Sequence, residues 1–187
     1  KPLFFRSDEI VFKTDIVLSI IKNHLNKTEH RIYARKCQLA EISFNEAKQF
    51  FNKNHLMSFG QGKTYGLIYD NKVVSAMQIK HLGNSNYEIS RFCNLINTNV
   101  IGGFSRILNL IENKIPLKSL TTFIDCRYGF GDYLKDFGFN FIRSGLSFKW
   151  TNSKITLHRM SYPGNSGYEN GYAKIWDCGQ SKFVKNY

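Results

Sequence analysis

The sequence predicts a mixed α/β (α+β) domain, with a central, partly antiparallel sheet and flanking helices. Three observations carry this. Strand-like and helix-like segments alternate between residues 31 and 150. Two β-rich runs, 64–69 and 72–79, are joined by Asp70-Asn71, a tight-turn signal that makes them a hairpin. Two further strand-like runs, 87–93 and 120–127, are separated by a glycine-bearing turn and one helix. With 187 residues and 42% hydrophobic content, the chain is long enough for one domain with a proper core.

The elements follow in order. From Thr14 onward, Ile16, Val17, Ile20, Ile21 and Leu25 recur at helical spacing, with Thr14 or Asp15 as N-cap. Residues 26–30 read as a linker, and residues 31–39 alternate like a single strand. Ser43-Phe44-Asn45-Glu46 has the form of a capping box and opens a helix. Phe44, Ala47, Phe50 and Phe51 line one face of it, and it stops near Lys53-Asn54-His55. After the hairpin come a strand at 87–93, a turn at 97–103, a helix at 104–113 and a strand at 120–127. A Gly129-Phe130-Gly131 loop then leads into a short helix ending at Gly138-Phe139. Residues 140–142 and 146–150 read as two strands. A Gly/Asn/Ser-rich loop at 163–171 precedes a last short strand, 172–179, closed by Asp177-Cys178-Gly179 as a strand-to-turn feature.

Charge is the next constraint. Lys and Arg number 26 against 14 Asp and Glu, a formal +12 with a pI near 9.6. Such an excess either solvates the surface or contacts a polyanion, and its size points to nucleic acid. Cys37, Cys93, Cys126 and Cys178 form no Cys-x-x-Cys pair, which excludes a zinc ribbon and suits small buried hydrophobes in a reducing compartment. No apolar run is long enough to span a bilayer, and the opening Lys1–Arg6 stretch is too short for a signal peptide. The expectation is a soluble cytoplasmic protein without membrane partners.

Arg91, Ser105, Asp125 and Tyr133 fall at the ends of the predicted elements, where site residues gather. Each also has a structural role open to it. Asp125 ends an apolar strand and must be paired, with Arg127 as partner, or functional. Arg91 could hold a phosphate or pair with Glu88 or Asp125. Ser105 could simply start a helix. Tyr133 could donate a proton or pack on the sheet. His55 sits at a helix end, where the dipole favours its charge, and could equally be a base or metal ligand.

The order of elements, the Gly102-Gly103 turn and the Tyr133-Leu134-Lys135-Asp136-Phe137-Gly138-Phe139 ending resemble the GNAT (N-acetyltransferase-like) superfamily over residues 31–150. That resemblance implies an acetyl-CoA or other anionic donor bound by backbone N–H groups of the turn, with Arg91, Asn99, Gly102 and Gly103 as cofactor-binding residues. Asn99 stands where the superfamily has Gln or Arg, and Phe104 where it has a very small residue.

Further strings resemble the C-terminal region of Hef-like phage homing endonucleases: residues 31–37, Asn54-His55-Leu56, Arg91-Phe92-Cys93, Asp125-x-Arg127 and Ile175-x-Asp177-Cys178-Gly179. Residues 1–30 then look like the helical tail of a nuclease domain, 31–150 like the GNAT-like domain, and 151–187 like a C-terminal loop and strand packing on it. The region is also similar to the phage Mom family of DNA-modifying proteins. That likeness implies catalytic roles for His55, Ser105, Asp125 and Tyr133, with iron at His55 and Asp125, and a host-cytoplasm setting. DNA contacts are expected from Arg35, Lys36, Lys63, Tyr65, Arg127 and Tyr128. Two functions follow: a transferase acting on a nucleobase amino group in DNA, or a catalytically silent DNA-binding module associated with a nuclease. A conventional acetyl-CoA N-acetyltransferase is a third.

Overall fold

The computed structural model describes residues 2–187. The chain opens with two short helices, α1 (Ser7–Phe12) and α2 (Thr14–His24), which bury Glu9, Ile16 and Val17. Lys13 occupies the N-cap of α2, so Thr14 is already helical, one residue earlier than the capping signal suggests.

The expected single strand at 31–39 is broken in two. β1 (His30–Tyr33) and β2 (Gln38–Ile42) flank a 3₁₀ turn at Ala34–Lys36, closed by a Cys37 N–H bond to the Ala34 carbonyl at 3.0 Å. Ala34 and Cys37 are buried there, which takes the chain out of extended geometry. β1 pairs in parallel with β6 (Thr98–Ile101), so part of the expected 97–103 turn is a strand. Its partner lies far away in sequence, and no local signal announces such a pairing.

Ser43 caps α3 (Phe44–Asn54) as its sequence indicates, accepting the Glu46 N–H. Ala47, Phe50 and Phe51 are buried, while Phe44 stays exposed, set edge-on to Phe59. β3 (Lys63–Tyr69) and β4 (Lys72–Gly83) form the expected hairpin. Asp70 and Asn71 both have positive φ, +48° and +58°, as the mirror-image turn requires. β5 (Asn86–Asn94), α4 (Gly103–Lys114) and β7 (Ser119–Asp125) lie where the sequence places them.

Residues 140–142 and 146–150 belong to one strand, β8 (Asn140–Thr151), followed by β9 (Thr156–His158) and the short α5 (Ser166–Glu169). The last strand, β10 (Ala173–Asn186), runs 14 residues rather than ending at Gly179. Gly179 is a bulge and not a stop. Its φ is +78°, its N–H is accepted by the Asp177 carboxylate at 2.8 Å, and a Cβ there would collide with the Gly145 backbone.

The main sheet has eight strands in the order β2-β3-β4-β5-β7-β10-β8-β9. Its pairs are antiparallel except β5–β7, so β10 inserts between β7 and β8. The sheet is covered on both sides, because neighbouring residues of a strand face opposite ways. Ala76 packs with Phe50 and Phe51 of α3, while Met77 packs with Ile107 and Ile111 of α4. Among the described residues no helix is long and apolar enough to cross a membrane.

Candidate active site

β5 and β7 stay in register only from the Asn86–Ser119 pair to the Ile89–Thr122 pair. Beyond this β5 remains with β4 and β7 follows β10, so the two strands separate. The gap is a cleft of about 730 Å³. α2 and the segment after α3 form one wall, and the 128–134 loop forms the other. His55, Arg91, Asp125, Arg127, Tyr128 and Tyr133 all line it.

Arg91 lies inside the open part of β5, which runs on to Asn94, and not at the strand end where the sequence places it. Its Nε donates to the Ser58 carbonyl at 3.0 Å and its Nη1 to the Ser90 carbonyl at 2.6 Å. Among the described residues no carboxylate forms a direct ion pair with it; burial lowers its pKa, and the Glu88 carboxylate acts on it only from a distance, in the opposing direction.

His55 is the C-cap of α3. Burial, together with the positive charges of Arg91 and Lys13, pushes its pKa down to about 3. It is therefore neutral at physiological pH, the opposite of a cation held by the helix dipole. Its Nδ1 accepts the Met57 N–H at 3.1 Å, which places the ring proton on Nε2.

Asp125 has the structural partner its position demands. Arg127 grips it with Nε at 3.1 Å and Nη2 at 2.8 Å, and the Arg127 backbone N–H adds a third bond at 3.0 Å. The other arm of Arg127 reaches Glu9 of α1 at 2.8 Å, and Arg6 closes on Glu9 from outside. Arg127 is only 4% exposed, so it is withdrawn from any phosphate and corrects the expectation of a DNA contact. Its pKa is raised by the two carboxylates against the opposing effect of burial.

Tyr133 stands half exposed at the rim, in a 3₁₀ turn, with burial of its phenol raising its pKa. Phe104 meets its ring edge-on at 6.0 Å, and Phe92 and Phe137 complete the cluster. Tyr128 packs on Phe5, and among the described residues its buried hydroxyl has no hydrogen-bond partner.

The remaining expected residues lie elsewhere. Gly102 and Ser105 line a separate shallow depression of about 420 Å³ with Arg35 and Arg106. Residue 104 belongs to the cleft and its neighbours 102 and 105 to the depression. Ser105 donates to the Gly102 carbonyl and is not beside His55 and Asp125, contrary to the expected catalytic set. Asn99 is a strand residue paired with Arg31 and so is no part of the helix-opening turn. Gly103 is buried, where a Cβ would press on Ser75 and Val100 at 3.2 Å. Gly102 is the left-handed N-cap of α4, with φ +77°. Among the described residues no side-chain cap hydrogen bond closes this N-terminus, which leaves first-turn N–H groups without a capping acceptor.

Arg35, Lys36 and Lys63 are exposed. Tyr65 is 1% exposed in the core beneath the Lys114 ammonium, and cannot stack on a base. Iron finds no ligand set. Among the described residues no three His, Cys, Asp or Glu side chains come together, and Asp125 is committed to Arg127.

Sequence reasoning missed His24, which lines the cleft, and Glu9, which holds a cleft residue, Arg127, in place. His24 is exposed on α2 at the mouth, and Glu9 braces the floor through Arg127. Glu9 reads in sequence as an acidic first-turn residue, and its partner is 118 residues away.

No protein-family model matches the sequence, and neither does any curated protein. Solved structures do. The ribosomal-protein-S18-alanine N-acetyltransferase of Escherichia coli superposes with a TM-score of 0.53 at 10% identity, over 80% of this chain and 93% of that one. Arabidopsis thaliana Naa50, solved with the bisubstrate analogue CoA-Ac-MVNAL, gives 0.52 at 13% identity, over 81% of this chain and 99% of that one. The chain therefore has the GNAT-like acetyltransferase fold, as its element order predicts. The expected kinship to Hef-like and Mom-type proteins rests on sequence motifs alone.

Proposed function

We propose that this chain is a GNAT-fold transferase that moves an acyl-type group onto an amino group, with an exocyclic nucleobase amine of DNA as the acceptor. The observation that carries the choice of acceptor is the chemistry of the cleft floor. His55 is a very weak base, with a pKa of about 3. Asp125 is held by Arg127, and Tyr133 keeps its proton. An alkyl amine is largely protonated at neutral pH and needs a base before it can attack. An exocyclic nucleobase amine is already neutral. The formal +12 of the chain supports a polyanionic substrate in the same direction.

A coenzyme-A-class thioester, when bound, supplies the activated acyl carbon. The uncapped N–H groups opening α4, with Arg35 and Arg106 beside them, suit its phosphates. Arg91, in direct ion pair with no carboxylate among the described residues, offers positive charge to an acceptor phosphate or a developing oxyanion. Tyr133 would give its phenol proton to the thiolate sulfur as the thioester bond breaks and take one back from the amine nitrogen as the amide forms.

A conventional acetyl-CoA N-acetyltransferase is the second reading, favoured by His24, a histidine at the cleft mouth outside the spent floor groups. Nucleoside mass analysis of DNA co-expressed with the chain tests the first reading. A new adduct that disappears with Tyr133→Phe is expected. Unmodified DNA together with acetylation of an amine substrate would establish the second, and neither product would leave a silent binding module.

A further inference from the structure

The geometry points to a single-stranded-DNA docking surface on the β8–β10 face, separate from the cleft. Trp176 of β10 and Phe148 of β8 are cross-strand partners, with ring centroids 5.2 Å apart, so they share one face of the sheet. Trp176 is 58% exposed although it is among the largest apolar side chains in the molecule. Tyr168 of α5 is exposed and packs edge-on at 5.2 Å against the buried Trp150, two residues along β8 from Phe148.

A cation is fixed among these rings. The Lys174 ammonium lies 4.9 Å from the Phe148 centroid, 5.1 Å from Trp150 and 5.4 Å from Tyr168, and donates to Asn165 at 2.9 Å. Arg159, whose carbonyl accepts the Trp150 indole N–H, is exposed at the edge.

Charge decides between occupants. On the strand face that carries Trp176, β10 adds Lys174, and the acid of β10, Asp177, points to the opposite face, where it meets Arg6 at 3.6 Å. With Lys174 and Arg159 at the rings and no carboxylate from β8 or β10 beside them, two copies of the face would repel each other, whereas a polyanion is drawn to it. Exposed rings interleaved with fixed cations form the arrangement that holds unpaired bases by stacking and their phosphates by charge. A duplex keeps its bases stacked inside and would leave the rings unused. Gln180, which lines the cleft, lies four residues along β10 from Trp176, roughly 13 Å at strand rise. The proposal rests on the nucleobase reading only in its choice of nucleic acid.

The chain has two tryptophans, and Trp150 is fully buried, so quenching of emission by a ligand reports Trp176. The full chain is titrated with oligo-dT, reading both emission and anisotropy of a labelled strand. Oligo-dT is expected to quench the emission, and Trp176→Ala to weaken binding about tenfold or more. Trp176→Phe should keep most of the affinity while losing the quench, and Arg159→Ala should lower the logarithmic salt slope by about one. Unchanged affinity in Trp176→Ala, or duplex competing as well as single strand, overturns the proposal. So does a parent dimer that Trp176→Ala dissociates without altering affinity, since the face is then a contact between copies. Adduct formation in DNA without Trp176-dependent binding sinks this surface alone, and binding without any adduct sinks the transferase alone.

Discussion

Removing the Arg127 side chain tests whether the N-terminal helices are part of the cleft's architecture. Arg127 lies between Asp125 and Glu9, with contacts of 2.8 Å to each. In Arg127→Ala the Glu9 carboxylate keeps only Arg6, and Asp125 loses its partner in the cleft wall. Breaking a buried pair from one side costs about 3–5 kcal/mol, mostly from the charge left behind. In a chain of this size each kcal/mol moves the melting temperature by about 2–4 °C, so a fall of roughly 6–20 °C is expected. The sign of the explanation is separately testable. If stranded charge is the cause, adding Glu9→Gln and Asp125→Asn to Arg127→Ala should restore part of the loss, although more side chains have been changed. Urea denaturation followed by circular dichroism gives both numbers, and limited proteolysis of residues 2–24 reports whether α1 and α2 have come away. A loss below about 1 kcal/mol, or a triple variant no better than the single one, refutes the reasoning.

Three further outcomes follow from the same structure. The His55 pKa falls from about 6.5 in the unfolded chain to about 3 in the folded one, so the unfolded state binds the extra proton first. Its contribution is complete above pH ~6.5 and is lost as the pH falls toward 3, by on the order of 2–4 kcal/mol after allowing for partial exposure. His55→Gln should flatten that acid limb, and a ring resonance titrating near 6.5 would contradict it. Gly167→Ala should cost about 1–3 kcal/mol, because a Cβ there overlaps the Trp150 ring; an unchanged melting temperature would show that α5 simply moves aside. Gly179→Ala sets both a positive φ and the Gly145 backbone against the new methyl, so the β8–β10 pairing should fail and soluble yield collapse.

The sequence alone determined the elements whose causes lie within a few residues. Ser43 and Glu46 cap α3 through their own contact, Asp70 and Asn71 turn the hairpin, and the apolar stripe of α4 sets its buried face. The element order was enough to indicate a GNAT-like fold, and four of the residues read as catalytic or donor-binding, His55, Arg91, Asp125 and Tyr133, line one cleft. Tertiary structure decided whatever depends on a distant partner. Arg127 reads as a surface cation until Glu9 arrives from the other end of the chain to bury it. Residues 31–39 alternate like one strand, yet burial of Ala34 and Cys37 and pairing with β6 divide them. Gly179 looks like an ending, but β10 continues because β7 and β8 lie on either side to take its hydrogen bonds. Ring exposure at Trp176 is likewise a property of what packs nearby, and short-range pattern carries no information about it.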